Sequence, residues 1–355
     1  MGRYVREVLA ALAARPDVEL AVVAPAAAGP TVHALTDPSP VRLLTPPRAD
    51  QVSLALWDRF RAGPAFAHAD SEVIIGCKHL VPRTLRPTLL VVHDVLTLTR
   101  ARENALAKRV LLPAQYRRSL TDASALVAVS NATRDRLGAI DGSWAAKCTV
   151  IPNGMSERLI DAQPVSPPGI GDRRFALVVG DLTPRKNLAL LTALWRADPP
   201  AGLTLVVVGP DSGTDAPVRA ELLELERSGR AVWIRGAADD GLRWCYEHAG
   251  VVLFPTFEEG FGLPLLEAMT FHAPVVASDE AALLEVAAGA PAVAHVAPDD
   301  PGGWRVAIEH AVADGPRTTA TPAIPAGAIS WTDHTDRLVF RARALARGIP
   351  SPRTA

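Results

Sequence analysis

Short apolar runs separated by stretches of helical periodicity constrain this chain more than any other feature, because that alternation is the sequence form of parallel βαβ units. In the first half the strand-like runs are 20–24, 73–76, 88–92, 125–129 and 149–151. In the second they are 175–179, 203–208, 232–234, 251–254, 275–277 and 292–296. The class is α/β. At 355 residues the chain is too long for one ordinary core and suits two Rossmann-like domains. Between the two sets of runs, residues 161–172 (DAQPVSPPGIGD) hold proline and glycine at a density that sustains neither a helix nor an interior strand, so an interdomain linker is expected there. Ligands of open parallel sheets sit outside the C-terminal strand ends, which places the expected active site in a cleft faced by the two domains.

Charge and cysteine usage narrow the function classes. With 37 basic and 38 acidic residues nothing global attracts nucleic acid, and any anion site must be local. Cys77, Cys148 and Cys245 are odd in number and far apart. They fit neither a disulfide framework nor a zinc site, and they suit a reducing cytoplasm. No apolar run approaches the roughly 20 residues a membrane span needs. No Asp-x-Asp follows a strand end, and Asp239-Asp240 and Asp299-Asp300 read as turns or caps. GxSxG, HExxH and a Walker lysine loop are absent. A dehydrogenase is disfavoured because no GxGxxG follows a strand with an acid about 20 residues on.

Two segments carry the chemistry. In Val251-Val252-Leu253-Phe254-Pro255…Glu258-Glu259-Gly260-Phe261-Gly262-Leu263-Pro264-Leu265-Leu266-Glu267, a buried strand delivers Glu259 to a glycine turn that opens into a helix, with Pro264 expected at the first helical position. Free amides and the dipole at that helix start, Gly260 to Leu263, favour a phosphate, and Glu267 one turn inside can accept from a ribose diol. In Val178-Val179-Gly180-Asp181-Leu182-Thr183-Pro184-Arg185-Lys186-Asn187-Leu188, a strand and turn lead to a helix headed by two cations. Arg185 can fork onto two phosphate oxygens, and Lys186 adds a compact charge.

The sequence EGFGLPLLE resembles the retaining GT-B glycosyltransferases of family 4 (glycosyl transferases group 1). In that family the first Glu lies near the donor sugar and the second binds the nucleotide ribose, which the match carries onto Glu259 and Glu267. The family's G-x-L-x-x-R-K-N pattern is similar to the segment around Arg185 and Lys186, and implies that these bind the donor pyrophosphate. Leu203 to Gly209 resembles its "VVVG" strand. Arg235, Gly236 and Ala237, after the run 232–234, resemble a loop whose backbone reads the base, although an ordinary strand end explains them nearly as well. His93, in the "VHD" segment after the run 88–92, is implied to lie against the transferred sugar, with Asp94 a structural acceptor or helix cap. Ser130 or Asn131 reads as a cap in an element similar to the family's "VS". Asn153 and Gly154 resemble its "PNG" and are expected to supply positive-φ geometry at a turn. Trp331 sits in an "SW" segment that starts a terminal helix returning to the N-terminal domain, and reads as packing rather than chemistry.

The implied layout is an N-terminal acceptor-side domain over 1–160, a linker over 161–172, a nucleotide-sugar-binding domain over 173–328 and the returning helix over 329–347. The implied reaction is retaining, metal-independent transfer of a hexose from a nucleoside-diphosphate sugar to a hydroxyl acceptor, on a glycan or a lipid carrier, without a cofactor. GDP-mannose is the donor suggested by relatives with the GxGRYVRE and VHD segments. The alternative is a non-catalytic nucleotide-sugar-binding protein. The chain begins Met1-Gly2-Arg3-Tyr4-Val5-Arg6-Glu7, inside the segment that opens the family's first helix. The resemblance therefore implies an N-terminal domain lacking its first strand and the glycine-rich loop behind it, which would leave ladder groups unpaired and reduce activity. The stretch 100–118 holds Arg100, Arg102, Lys108, Arg109, Arg117 and Arg118 among apolar residues, and reads either as a peripheral membrane contact or as a solvated helix face.

Overall fold

A computed structural model describes residues 2–37, 39, 41–44, 71–78, 80–82, 84–99, 106–290, 292–313 and 321–348, with side chains from 112 onward in the stretch that starts at 106. These residues divide into two compact units: Met1–Gly154 with Ile329–Ala355, and Met155–Ala328. The boundary falls at Gly154, ahead of the proline-rich stretch expected to be the linker. That stretch is irregular, but it is stitched to the C-terminal unit: Val165 N–H donates to Asp240 O at 3.3 Å, and the Arg243 guanidinium donates to Ile160 O and to Ala162 O.

In the N-terminal unit β1 (Leu20–Val23) pairs in parallel with β2 (Val41–Leu44). Strands β3 (Ile74–Gly76), β4 (Thr88–Val92), β5 (Ala125–Ala128) and β6 (Cys148–Val150) form a separate parallel ladder in that order. The β1–β2 pair and this ladder share no strand among the described residues. Strand β2 had no counterpart among the sequence expectations: Val41-Arg42-Leu43-Leu44 is too short to show a period. The two central strands are buried on both faces, since every residue of β4 and β5 is buried. One face packs Leu90, Val92, Leu126 and Ala128 against Tyr116, Leu120, Leu137 and Trp144. Tyr116 is thus a core residue whose hydroxyl donates to Asp94 O at 2.8 Å, and Arg118 donates to Val81 O at 3.0 Å. Of the basic stretch, residues 100–105 and the side chains of 106–111 lie outside the described residues.

Gly154, in the two-residue strand β7 (Gly154–Met155), does not take the positive φ expected of it, and neither does Asn153. Close approach is the reason for glycine here. A Cβ at Gly154 would stand 2.3 Å from Trp331 N and 2.4 Å from Ser330 C, both main-chain atoms that cannot step aside. Gly154→Ala is expected to destabilise the N-terminal unit by about 3 kcal/mol, read as a fall in its thermal unfolding midpoint. Trp331 opens the terminal helix Trp331–Ala346, which Ser330 and Asp333 cap reciprocally. That helix packs within this unit, where Arg343 donates to Asp17 O at 2.8 Å.

The C-terminal unit is one six-stranded parallel sheet. Its strands are β8 (Phe175–Val179), β9 (Thr204–Val208), β10 (Ala231–Ile234), β11 (Val251–Phe254), β12 (Val275–Ser278) and β13 (Val293–Val296), in the order β10-β9-β8-β11-β12-β13. On one face Ala176, Val178, Leu205, Val207, Leu253 and Val276 pack against Trp195, Leu222 and Trp304 from the helices Leu188–Ala197, Ala216–Arg227 and Pro301–Ala313. Each buried indole finds an acceptor: Trp195 donates to Leu203 O at 2.8 Å, Trp233 to Gly209 O at 2.9 Å and Trp304 to Ala297 O at 2.9 Å. The chain runs outward from β8 to β10, returns to β11 beside β8, and continues outward the other way. The order therefore reverses at β8/β11, and a crevice is expected beyond the C-terminal ends of these two strands.

Candidate functional site

The two motif segments read from the sequence leave these two strands, and the reversal of strand order brings them together. After β8 the chain turns through Asp181 into a single 3-10 turn, Pro184–Lys186, and the helix Leu188–Ala197 begins only after Asn187, at φ 52°. The cations thus precede the helix; they do not head it as expected. Asn187 can hold this left-handed conformation as a short polar residue, and its amide donates to Pro298 O at 2.7 Å. After β11, Thr256 Oγ1 and Phe257 N–H both donate to Arg185 O at 2.9 Å, which ties one loop to the other. Ser278 Oγ, at the end of β12, donates to Thr256 O at 2.6 Å.

This bracing holds a compact ion cluster. Arg185 Nη1 lies 2.6 Å from Glu259 Oε1, Lys186 Nζ also contacts Oε1, and Asp181 Oδ1 is 3.6 Å from Arg185 Nη2. The Glu259 and Lys186 side chains are 13% and 12% exposed, so water screens their attraction only weakly. Burial by itself pushes the Glu259 carboxyl up. Lys186 and then Arg185 more than reverse this and hold it at about 2, against an ordinary 4.5. The charge of this carboxylate therefore stabilises the C-terminal unit fully above pH 4.5, and that contribution is lost as pH falls toward 2. The loss is on the order of 3 kcal/mol. Urea unfolding of wild type and Glu259→Gln followed across this range is expected to converge at the acid end.

The turn Glu259–Leu263 opens the helix Leu263–Thr270 through Gly262, whose φ of 97° suits glycine alone, and a Cβ there would stand 2.6 Å from Leu283 Cδ2. Leu263 is the first helical residue, so Pro264 takes the second position and not the first. The amide it lacks is again one without an intrahelical acceptor. Glu267, 3% exposed, accepts from the Tyr246 hydroxyl at 2.8 Å through Oε2, and Tyr246 stacks on Phe271 at 5.9 Å between ring centroids. A buried hydroxyl thereby fixes the orientation of the second glutamate. Phe261 is buried.

Arg235, Gly236 and Ala237 do not join this cluster. They follow β10 at the sheet edge, two strands from β8 and so about 10 Å away. Arg235 is exposed, lies over the Trp233 ring at 4.3 Å and pairs with Glu226 at 3.9 Å. His93 belongs to the N-terminal unit, just past β4, where its Nε2 is 3.1 Å from Cys77 O. Asp94 caps the short helix Leu96–Thr99 by accepting from Leu96 N–H at 3.0 Å, and Ser130 caps Asn131–Ile140 by accepting from Thr133 N–H. Asp239 and Asp240 sit in a first helical turn, and Asp300 accepts from Gly303 N–H, as caps do. Among the described residues no three His, Cys, Asp or Glu side chains converge as a metal centre requires, and no helix is long and apolar enough to cross a membrane. The three cysteines are unpaired, and burial pushes their thiols up to about 11, 11 and 12 for Cys77, Cys148 and Cys245.

Sequence reasoning missed Thr256, Ser278 and Tyr246. Thr256 lay two residues past a predicted strand end, the position from which such a loop begins. Ser278 and Tyr246 carried no local signal, since only the adjacency of β11 to β12 and the facing of two helices give them partners.

Two α/β units, one with a strand-order reversal that carries paired cations and buried glutamates, fit the GT-B architecture. Residues 173–314 match the family described as glycosyl transferases group 1, and residues 1–158 match glycosyltransferase family 4. The chain belongs to this family of glycosyltransferases. It is similar to the O-antigen chain mannosyltransferase B of Escherichia coli, 27% identical over 235 residues that cover 62% of this chain and 60% of that protein. It is also similar to the O-antigen chain mannosyltransferase RfbU of Salmonella typhimurium, 21% identical over 244 residues covering 68% of this chain and 65% of the other. The chain thus spans somewhat less than two thirds of the length of these two relatives. Its fold is shared with Anabaena HepE, crystallised with UDP and glucose, at a TM-score of 0.70 and 17% identity over 97% of this chain and 96% of that one.

Proposed function

We propose that the chain transfers a hexose from a nucleoside-diphosphate sugar to a hydroxyl acceptor in glycan or glycolipid biosynthesis. The observation that carries this reading is the Arg185–Glu259–Lys186 cluster at the β8/β11 reversal, beside a helix N-terminus. A pyrophosphate would take over the two cations, with the amides of Gly260 to Leu263 adding donors. Glu267, aligned by Tyr246, would receive the ribose hydroxyls, and the backbone of Arg235 to Ala237 would lie toward the base. Charge builds on the departing diphosphate as the glycosidic bond breaks, and in this reading Arg185 and Lys186 would stabilise it without a metal. Glu259, released from the cations, would face the positive charge that grows on the sugar. His93 is assigned to the transferred sugar on the strength of its motif.

Retention of anomeric configuration follows from the same reading: with the β-phosphate oxygen taking the acceptor proton, attack comes from the face that the leaving group vacates. Mannose, as GDP-mannose, is proposed because both enterobacterial relatives are named as mannosyltransferases. A cytoplasmic setting with a lipid-linked acceptor and peripheral membrane contact belongs to the same proposal; unpaired thiols suit a reducing compartment.

A panel of nucleotide sugars screened by thermal shift, followed by transfer assays with and without EDTA, tests it. GDP-mannose is expected to raise the melting midpoint most, EDTA to leave turnover unchanged, and the product to keep the donor's anomeric configuration by NMR. Donor binding with neither transfer nor hydrolysis would indicate a nucleotide-sugar-binding protein instead.

A further inference from the structure

The N-terminal unit contains an aromatic and imidazole cluster of which the transfer reading uses His93 alone. Tyr4, on the first helix Arg3–Ala13, is 7% exposed and meets three rings edge-on: His93 at 4.4 Å, His334 at 5.3 Å and Trp331 at 5.5 Å between centroids. His334, on the terminal helix, is inaccessible. Its Nδ1 lies 2.6 Å from Pro152 O, and its Nε2 lies 3.0 Å from the Tyr4 hydroxyl.

Hydrogen-bond polarity follows from these partners. A carbonyl oxygen only accepts, so Nδ1 of His334 carries the proton. In the neutral ring Nε2 is then the acceptor, and Tyr4 must donate to it. Burial holds His334 in that neutral state, and it also pushes the Tyr4 phenol well above its ordinary value, so the O–H persists. The relay runs one way: Tyr4 O–H to His334 Nε2, then His334 Nδ1–H to Pro152 O. At its far end the Tyr4 ring presses on His93, whose own Nε2 is directed at Cys77 O. The same logic puts the His93 proton on Nε2 and leaves Nδ1 as the acceptor nitrogen of that ring.

We propose that Tyr4 and His334 are positioning residues for His93. The relay anchors the Tyr4 ring, and the ring then fixes the plane of an imidazole at the C-terminal end of β4, which keeps its Nε2–H on Cys77 O and so holds the tautomer. The proposal rests on the reading of His93 as a group that acts on the transferred sugar. It adds that a residue 241 positions downstream decides how that group is presented. A random contact would explain one short distance; it would not explain a chain of three polar groups, Tyr4 O–H, His334 and Pro152 O, whose donors and acceptors match in turn and whose two side chains are buried.

The test uses the full chain. Imidazole nitrogen and carbon-bound proton resonances of His93, assigned by loss in His93→Gln, are compared in wild type, Tyr4→Phe, His334→Gln and His334→Phe. Wild type is expected to show one dominant His93 tautomer. His334→Phe removes both hydrogen bonds and Tyr4→Phe removes one oxygen, so both are expected to mix the tautomers. His334→Gln, which returns an acceptor near Nε2, is expected to restore much of the wild-type pattern. In transfer assays the same variants are expected to lower kcat about tenfold with donor KM within twofold, since the nucleotide contacts belong to the other unit.

Unchanged His93 resonances in folded Tyr4→Phe and His334→Phe overturn the proposal. Should His334→Phe not fold, Tyr4→Phe decides alone, because it deletes a single oxygen. Full transfer by His93→Ala would defeat the role given to His93 in the proposed function, whereas the spectra would still report whether Tyr4 and His334 hold its ring.

Discussion

Glu259→Gln is expected to lower transfer by about 100- to 1000-fold while tightening the binding of the nucleoside diphosphate by about tenfold. The two effects have opposite signs because the carboxylate has two partners in sequence. It neutralises Arg185 and Lys186, and in the proposed reaction an arriving diphosphate would displace it from both. An amide oxygen accepts from one cation without carrying charge, so the cations of the variant meet the phosphates with less competition. Once the sugar begins to separate from the diphosphate, the same variant has no negative charge to set against the positive ring. Calorimetric titration with GDP and UDP, beside turnover with the preferred donor, measures both effects. Turnover within threefold of wild type would remove Glu259 from the reaction.

Arg185→Ala is expected to weaken nucleoside-diphosphate binding by about 10- to 100-fold, corresponding to one charge-assisted contact of about 1.5–3 kcal/mol. Only the side chain is lost. The Arg185 carbonyl, which accepts from Thr256 and Phe257, stays in place, so the loops remain joined and the change reports on binding rather than folding. Arg185→Lys restores charge without the planar fork and is expected to fall between the two. In Arg185→Ala, Glu259 keeps Lys186 alone, and its carboxyl is expected to titrate at higher pH than in wild type. Equal affinity of wild type and Arg185→Ala for GDP and for UDP would place the diphosphate elsewhere.

Acid sensitivity is expected in two stages, because the buried groups differ in kind. His334 is held at about 4 by burial, helped by the nearby His93 and Arg337 and opposed by its bond to Pro152 O. An unfolded histidine titrates near 6.5, so the folded N-terminal unit binds fewer protons and loses stability as pH falls from 6.5 toward 4. The Glu259 contribution disappears at lower pH, from 4.5 toward 2.

Much of the C-terminal site was legible in the chain itself. Strand β11, the glycine turn and the following helix are contiguous, so Glu259 could be placed at the turn and Glu267 inside the helix it opens. The cations 73 and 74 residues earlier stood out as an adjacent pair after a strand and turn, but their pairing with Glu259 did not. That contact exists because β8 and β11 are neighbours, and strand order is a property of the whole sheet. The first helical position of Pro264, the helix beginning at Arg185 and the turn geometry of Asn153-Gly154 were misread for a related reason. Propensity says which conformations a residue tolerates, whereas packing chooses among them. At Gly154 the deciding neighbour is the backbone of Ser330 and Trp331.

Local order in the chain, through apolar runs, glycine turns and caps, was enough to determine the α/β class, nearly every strand and the residues that carry charge. Those signals act over a few residues, where sterics and hydrogen bonding are set by neighbours in sequence. Only the tertiary structure decided that Glu259 closes on both cations, that Tyr246 aligns Glu267, and that Tyr4 and His334 meet beside His93. Each of these depends on which elements become adjacent when the apolar faces are buried together, and burial has no memory of distance along the chain.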